Sequence, residues 1–293
     1  MLTVPDKGFT HAGRFHADDV FAAALLRLCN PSIRIQRGFS VPEGYDGIVF
    51  DIGDGPFDHH GKDTPVRECG VKYAAFGLLW RELGPALVGE KEAKRFDDGF
   101  VKPLDEDDNT GCGNQLANLI AAYNPRWDEE KDENACFEEA VAVAQDLLGH
   151  KLESIRAITR AEAEVRGALA KSKGGIVRLE RFAPWKQYLI PSRAKFVVYP
   201  SQRGGYCAQA IPARFGTTEL RIPFPAEWAG ASEEELPAIS GIDGLRFCHA
   251  GRFLITAATE EEAVEACRAA MEAERESDDL KKCEYLYGHI GEK

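Results

Sequence analysis

The chain has 293 residues, 36 Lys and Arg against 48 Asp and Glu, a formal charge of −12, 44% apolar residues and 29% charged ones. That composition excludes wholesale disorder, and the acidity excludes a protein that coats long nucleic acid by bulk positive charge, while leaving room for divalent cations or a small phosphorylated ligand. No apolar run reaches the roughly 18 residues of a membrane helix, the amino-terminal MLTVPDKGFTHAGRF lacks an apolar signal core, and the eight cysteines fall in no C-x-x-C spacing, so a cytoplasmic protein of one large or, better, two domains with reduced thiols is expected.

In chain order, Lys7 to Thr10 reads as a short strand, and the spacing of Phe21, Leu25 and Leu28 predicts a helix from Asp18. Residues 33–36 and 47–50 read as further strands, the second ending at Asp51. Gly53, Gly55 and Pro56 then break the chain before Asp58-His59-His60. Val71, Ala75, Leu78 and Leu79 predict an amphipathic helix over 67–83, and another over 91–104 leads into the acidic run Asp105-Glu106-Asp107-Asp108. A break at 110–113 precedes a predicted helix over 115–123, and 127–133 reads as a solvated acidic loop. Strands alternating with helices imply a largely parallel sheet. In such sheets functional residues gather beyond the carboxyl ends of the strands, where Asp51 stands.

Residues 133–171 carry helical spacing through Phe137, Val141, Ala144, Leu148, Leu152, Ile155 and Ile158, with Gly149 the one weak point. One long helix, or two in series, is predicted as a bridge between domains, ended by Ser172 to Gly175. Beyond it, 176–179, 196–199, 206–211, 245–248 and 253–257 are strand candidates, and Thr259 caps a helix whose first turn holds Glu260, Glu261 and Glu262. The predicted organisation is α/β: a mostly parallel domain over 1–132, a helical linker over 133–174 and a smaller mixed α+β domain over 175–293.

Four of the seven histidines, His11, His16, His59 and His60, lie in the first sixty residues, each close to an aspartate. His150 and His289 have no clustered partners and read as structural. Parallel neighbouring strands would bring the His11–Asp19 segment, Asp51 and the Asp58-His59-His60 triplet to one sheet edge. Neutral imidazole with carboxylate suits manganese, iron or cobalt better than calcium. Three imidazoles and three or four carboxylates exceed what one ion needs, but match two ions sharing a bridging carboxylate. Each group alone also reads as a surface pair, a solvated turn or a helix cap; their joint occurrence in one α/β pattern favours metal. In the second domain Lys186 after Trp185, Arg203 before Gly204-Gly205, and His249 and Arg252 flanking a turn glycine are phosphate-binding candidates, since arginine grips phosphate oxygens in bidentate fashion. Trp185 is a candidate for stacking on a base.

Asp58-His59-His60, with Asp51 upstream and Asp105 downstream, resembles the ordered motifs of the DHH phosphoesterase superfamily, which includes RecJ-type exonucleases, oligoribonucleases and family II pyrophosphatases. More closely, THAGRFHADD at 10–19, FDIGDGPFDHH at 50–60 and LDEDDN at 104–109 resemble the signatures of the melanocyte-proliferating-gene family of predicted metal-dependent hydrolases. RFAPWK at 181–186, IPFPAEW at 222–228 and GIDGLRFCHAG at 241–251 extend the resemblance over nearly the whole chain. It implies a Rossmann-like DHH domain, a linker helix and a cap domain, around a site for two divalent cations: usually Mn2+, with Mg2+ or Co2+ as alternatives. By position, it implies His11, His16 and Asp18 as the first ligand group and Asp51 as the bridge. His59 becomes a ligand, His60 faces the scissile phosphate, and Asp105 closes the second ion, with Asp108 as the alternative. His16 departs from the superfamily pattern by standing where its first aspartate would be. The turn at His249 to Phe253 lacks the paired glycines frequent in the family.

The expected function is a metal-dependent phosphoesterase in which hydroxide held by two metals attacks phosphorus. The resemblance points to RNA or short oligonucleotides cut 3′ to 5′ as the substrate. A small-molecule phosphatase or pyrophosphatase is the rival within the enzymes, favoured by the negative charge. A non-catalytic nucleotide-binding protein is the rival outside them.

Overall fold

The structure is a computed structural model and describes residues 2–287. It divides into two compact units, Met1–Arg156 and Ala157–Lys293.

The first unit is built on a three-stranded parallel sheet of β1 (Lys7–His11), β2 (Arg34–Gly38) and β3 (Ile48–Val49), with β1 in the centre. Helix α1 (Ala17–Cys29) makes the crossover from β1 to β2. Every residue from Ala17 to Leu26 is buried. A helix buried on all sides reads as apolar all round, and the two charged residues at its start, Asp18 and Asp19, therefore need an internal reason to be there. The core is filled by Phe15, Phe21, Leu25 and Leu26 together with Phe76, Leu78, Leu79 and Trp80 of α2 (Ala75–Val88).

Helix α2 begins eight residues later than its apolar stripe suggests. Gly70 adopts φ +89°, Val66 pairs with Lys72, and the Arg67 side chain turns inward, so 67–74 is a tight loop. The predicted helix over 91–104 is α3 (Glu90–Phe96), a π-helical turn (Asp97–Val101) and α4 (Lys102–Thr110). The acidic run at 105–108 is therefore helical, not a tail beyond a helix. After α5 (Gln115–Ala121), the long α6 (Glu133–Arg160) packs Phe137, Val141, Ala144 and Leu148 into the first core. A break at Ala161 separates it from α7 (Glu162–Lys171), so the segment predicted as one linker is shared between the two units.

The second unit is a mixed sheet in the order β4-β5-β6-β8-β7, formed by β4 (Ile176–Arg178), β5 (Phe196–Pro200), β6 (Tyr206–Ala210), β7 (Leu245–Cys248) and β8 (Leu254–Ala257). Only β4 and β5 run parallel. Successive side chains in a strand alternate in facing. Val177, Val197 and Tyr199 accordingly pack with α7 and the short α8 (Lys186–Leu189), whereas Ile176, Phe196 and Val198 join a separate cluster. That cluster includes Leu236 of α9 (Leu236–Ser240) and Ala263, Val264 and Cys267 of α10 (Glu260–Tyr287). The cysteines at 29, 69, 112, 136, 207, 248 and 267 are free thiols. Among the described residues, no helix is long and apolar enough to cross a membrane.

Candidate metal centre

The site lies at the carboxyl ends of the three parallel strands. His11 is the last residue of β1, and Asp51 follows β3 by two residues. Asp51 has φ +57°, a left-handed backbone uncommon outside glycine and most tolerated in Asn and Asp. Its amide donates to Phe57 O at 3.0 Å, closing the 51–58 loop and returning the chain to His59 and His60.

Three groups of donor atoms converge: His11, Asp19 and Asp51; Asp18, His59 and Asp108; and Asp51, His59 and His60. His11 Nε2 stands 3.2 Å from both Asp19 Oδ2 and Asp51 Oδ2. His59 Nε2 stands 3.1 Å from Asp51 Oδ1, 3.2 Å from Asp108 Oδ2 and 3.9 Å from Asp18 Oδ2. Two ligand atoms about 2.1 Å from one cation and at right angles to each other lie about 3 Å apart, so these separations fit shared coordination. Among the described residues, Asp19 Oδ2 and Asp51 Oδ1 are buried without a hydrogen-bond partner, as ligand atoms for an ion would be. His11 Nδ1 donates to Ala12 O at 3.1 Å, which leaves the Nε2 lone pair to face the carboxylates.

The surroundings orient the carboxylates individually. Both Asp18 oxygens accept backbone amides from the first turn of α2, Ala75 at 2.8 Å and Phe76 at 2.7 Å. Asp19 Oδ1 accepts the His16 amide at 2.9 Å. Asp58 Oδ1 accepts from His60 Nδ1 at 2.7 Å, and Asp58 Oδ2 accepts the Asp54 amide at 2.8 Å. The electrostatics are those of crowded negative charge. Burial, then Asp51, Asp108 and Asp105, push the Asp18 carboxyl well above its ordinary range. Burial would raise Asp51 too, but His11 and His59 outweigh it and hold that carboxyl at about 2. Burial lowers His11, yet Asp19 and Asp51 lift it to about 10. A cluster that draws in protons in this way fits cations in their place.

The ligand candidates expected from the sequence separate on this geometry. His11, Asp18, Asp51 and His59 come together. His16 is exposed, with Nδ1 3.8 Å from Asp108 Oδ1, and stays at the edge. Among the described residues, Asp105 joins none of the three donor groups. It is fully buried, accepts Arg67 Nη2 at 2.6 Å and the Gly77 amide at 3.2 Å, and burial lifts it to about 7 against the pull of Arg67. A Cβ at Gly77 would collide with Asp105 Oδ2, so that contact requires glycine. The alternative, Asp108, one turn further along α4, faces His59. Asp19, which is not among the ligands that the resemblance implies, is an additional acid in the group with His11 and Asp51. The signal was the unbroken HADD doublet leading an otherwise apolar helix.

In the second unit the candidates do not form one group. His249 and Arg252 share the β7–β8 turn, where His249 Nδ1 accepts the Gly251 amide at 2.9 Å and Arg252 has φ +56°. Arg203 is exposed in the β5–β6 turn. The antiparallel register puts that turn beside the end of β8, at the opposite end of β6 from Arg252, about 13 Å of strand away. Lys186 opens α8 over the Trp185 ring. Trp185 itself is 3% exposed within the core, so it offers no face to a base. His150 pairs with Asp146 on the exposed side of α6, and His289 lies outside the described residues.

The cleft over the cluster has a volume of about 720 Å³ and is lined by His11, Asp51, His59, His60 and Asp108 among others. Comparison with known proteins places this arrangement in context. The model of the MYG1 exonuclease family, described as Uncharacterised protein family (UPF0160), matches residues 8–271. The chain is similar to the MYG1 exonuclease of Homo sapiens, at 29% identity over 92% of this chain and 87% of that protein. It is also similar to the MYG1 protein of Dictyostelium discoideum, at 27% identity over 84% and 90%, and to a MYG1 protein of Chlamydia pneumoniae, at 28% over 92% and 98%. No solved structure matches it.

Proposed function

The chain belongs to the MYG1 family, and from that premise we propose that it is a divalent-metal-dependent phosphoesterase of DHH type, hydrolysing phosphodiester bonds of RNA or short oligonucleotides from the 3′ end. The observation that carries this reading is the position of Asp51, whose two oxygens face His11 and His59 in two separate donor groups. Relatives named as exonucleases support nucleic acid as the substrate.

His11, Asp19 and Asp51 would hold one cation, and Asp18, His59 and Asp108 a second, with Asp51 common to both. Such a pair, most readily Mn2+, supplies hydroxide at neutral pH and neutralises charge on phosphoryl oxygens. The chain does the rest. The amides of Ala75 and Phe76 fix the direction of Asp18. Asp58 fixes His60 through Nδ1, so its other ring nitrogen serves the cleft and can hold a proton for the departing oxygen. The second unit would contact substrate phosphates through Lys186, Arg203, His249 or Arg252.

The test is a metal-stripped full chain reloaded with Mn2+, Mg2+ or Co2+ and offered a 5′-labelled short RNA, pyrophosphate and a nucleoside bisphosphate. The expected result is metal-restored shortening of the RNA from its 3′ end and a higher melting temperature on reloading. Hydrolysis of pyrophosphate alone would make it a small-molecule enzyme. Metal binding with no turnover of any substrate would make it a non-catalytic binder.

The two acids of α4 should separate cleanly. Asp108→Asn is expected to weaken Mn2+ binding at least about a hundredfold with little change in the melting temperature of the metal-free protein. Asp105→Asn should keep the metal stoichiometry and lose about 1–3 kcal/mol of stability, because it unpairs a buried arginine contact. Titration calorimetry and urea unfolding on both variants distinguish the roles; the reverse pattern would return the ligand role to Asp105.

A further inference from the structure

Two residues beside the ligand cluster have no part in the scheme above. Arg14 lies between His11 and His16, is exposed, and is the one Lys or Arg among the described residues lining the cleft. Phe39 is 85% exposed, although an aromatic side chain gains most by burial. Its position follows from strand register. His11 pairs with Gly38 at the end of β2, and Ala12 N donates to Gly38 O at 2.9 Å, so Phe39 leaves the sheet beside the loop that carries Arg14. The space a Cβ would take at Gly13 lies 3.6 Å from Phe39 Cε1, so the ring rests in ordinary contact range of that loop.

The loop beneath is held firmly. Arg37 donates to His11 O at 3.1 Å and to Gly13 O at 2.7 Å, and its guanidinium lies 4.4 Å from the Phe137 ring centroid. A rigid loop thus presents a cation into the cleft and adjoins a ring held in solvent. Guanidinium grips phosphate oxygens in a planar fork, and an exposed aromatic face stacks on a nucleobase without reading its edges.

The geometry points to a nucleotide subsite at the lip of the metal cleft, in which Phe39 stacks on a nucleobase and Arg14 grips the phosphate of the same nucleotide. This rests on the phosphoesterase reading and deepens it, by naming the unit of substrate as a nucleotide with an unpaired base. Because the platform uses a π face, any base fits it, and a base stacked within a duplex does not. Arg14 adds a permanent positive charge at the edge of a cleft lined by four imidazoles and three carboxylates, so the phosphate is drawn in at that edge. Pyrophosphate would use Arg14 and leave Phe39 idle.

The test measures binding separately from turnover. Full-length protein with Mn2+ is titrated with uridine 5′-monophosphate and with ribose 5-phosphate, which lacks the base. Phe39→Ala is expected to weaken uridine monophosphate binding about tenfold and leave ribose 5-phosphate unchanged, with Phe39→Trp restoring the loss. Arg14→Gln should weaken both ligands. The same variants are then compared on an ordinary dinucleotide and on its abasic analogue, where Phe39→Ala should raise KM only for the former. Equal binding of uridine monophosphate by wild type and Phe39→Ala overturns the subsite, whether or not the enzyme cuts RNA. Stacking at Phe39 with no hydrolysis of any phosphoester would uphold the subsite and overturn the catalytic reading instead.

Discussion

Replacing Asp51 by Asn is expected to lower phosphodiester hydrolysis at least about a thousandfold, about 4 kcal/mol of barrier, while the fold stays intact. The substitution is chosen for its backbone. Asp51 sits at φ +57°, and Asn is the residue that tolerates that conformation best after glycine. The amide of residue 51 keeps its bond to Phe57 O, so the turn that delivers His59 is preserved. What changes is the donor set. A carboxylate can serve the His11 side and the His59 side with one oxygen each, whereas a carboxamide has one ligand oxygen and an NH2 group that repels a cation. Far-UV circular dichroism should be unchanged, and metal analysis should find fewer than two ions per chain. Turnover equal to wild type in that variant would remove Asp51, and with it the two-cation reading, from the mechanism.

The second large effect is on stability. Arg67→Met is expected to cost about 3–5 kcal/mol, which for a chain of this size lowers the melting temperature by about 10 °C. Arg67 is buried and donates to Asp97 at 2.8 and 2.6 Å and to the fully buried Asp105 at 2.6 Å, with its guanidinium 3.8 Å from the Tyr73 ring centroid. Removing it strands a carboxylate that burial already disfavours. The desolvation cost of the stranded acid, more than the lost attraction, sets the size of the effect. The double variant Arg67→Met/Asp105→Leu should therefore recover part of the loss, because it deletes the stranded charge. A single variant within about 1 kcal/mol of wild type, or a double variant worse than the sum of its parts, would show that this pair does not anchor the loop.

Much of the architecture was legible because periodicity reports burial. β1, α1 and the strands of the second unit stand close to where alternation and helical spacing put them. The start of α2 was not legible. Val71 continues the apolar stripe, but the helix is pre-empted by the inward turn of Arg67, whose partners Asp97 and Asp105 lie 30 and 38 residues away. The same long-range pair hides the choice between Asp105 and Asp108. Both are acids on one helix, three positions apart, and only the location of Arg67 decides which is neutralised by a cation of the chain and which is left to the cluster. The ligand role of Asp19 is hard to read from the sequence for a local reason. Neighbouring helix residues point about 100° apart, so a doublet can face two donor groups at once, while in a linear pattern its second member looks like a cap. Arg203 looked equivalent to Arg252 because both adjoin turn glycines, and strand direction, absent from local pattern, sends them to opposite ends of β6.

The two amides that hold Asp18 have a consequence for ionic radius. With both oxygens tethered to the opening turn of α2, this carboxylate cannot swing outward to accept a broader ion, and any retreat would have to drag a packed helix with it. A cation held there would therefore meet a fixed gauge, which would suit ions that coordinate at about 2.1 Å better than those needing 2.3–2.6 Å and a flexible shell of oxygens. Selectivity by size would then be a property of how α1 and α2 pack, set in the hydrophobic interior before any cation arrives.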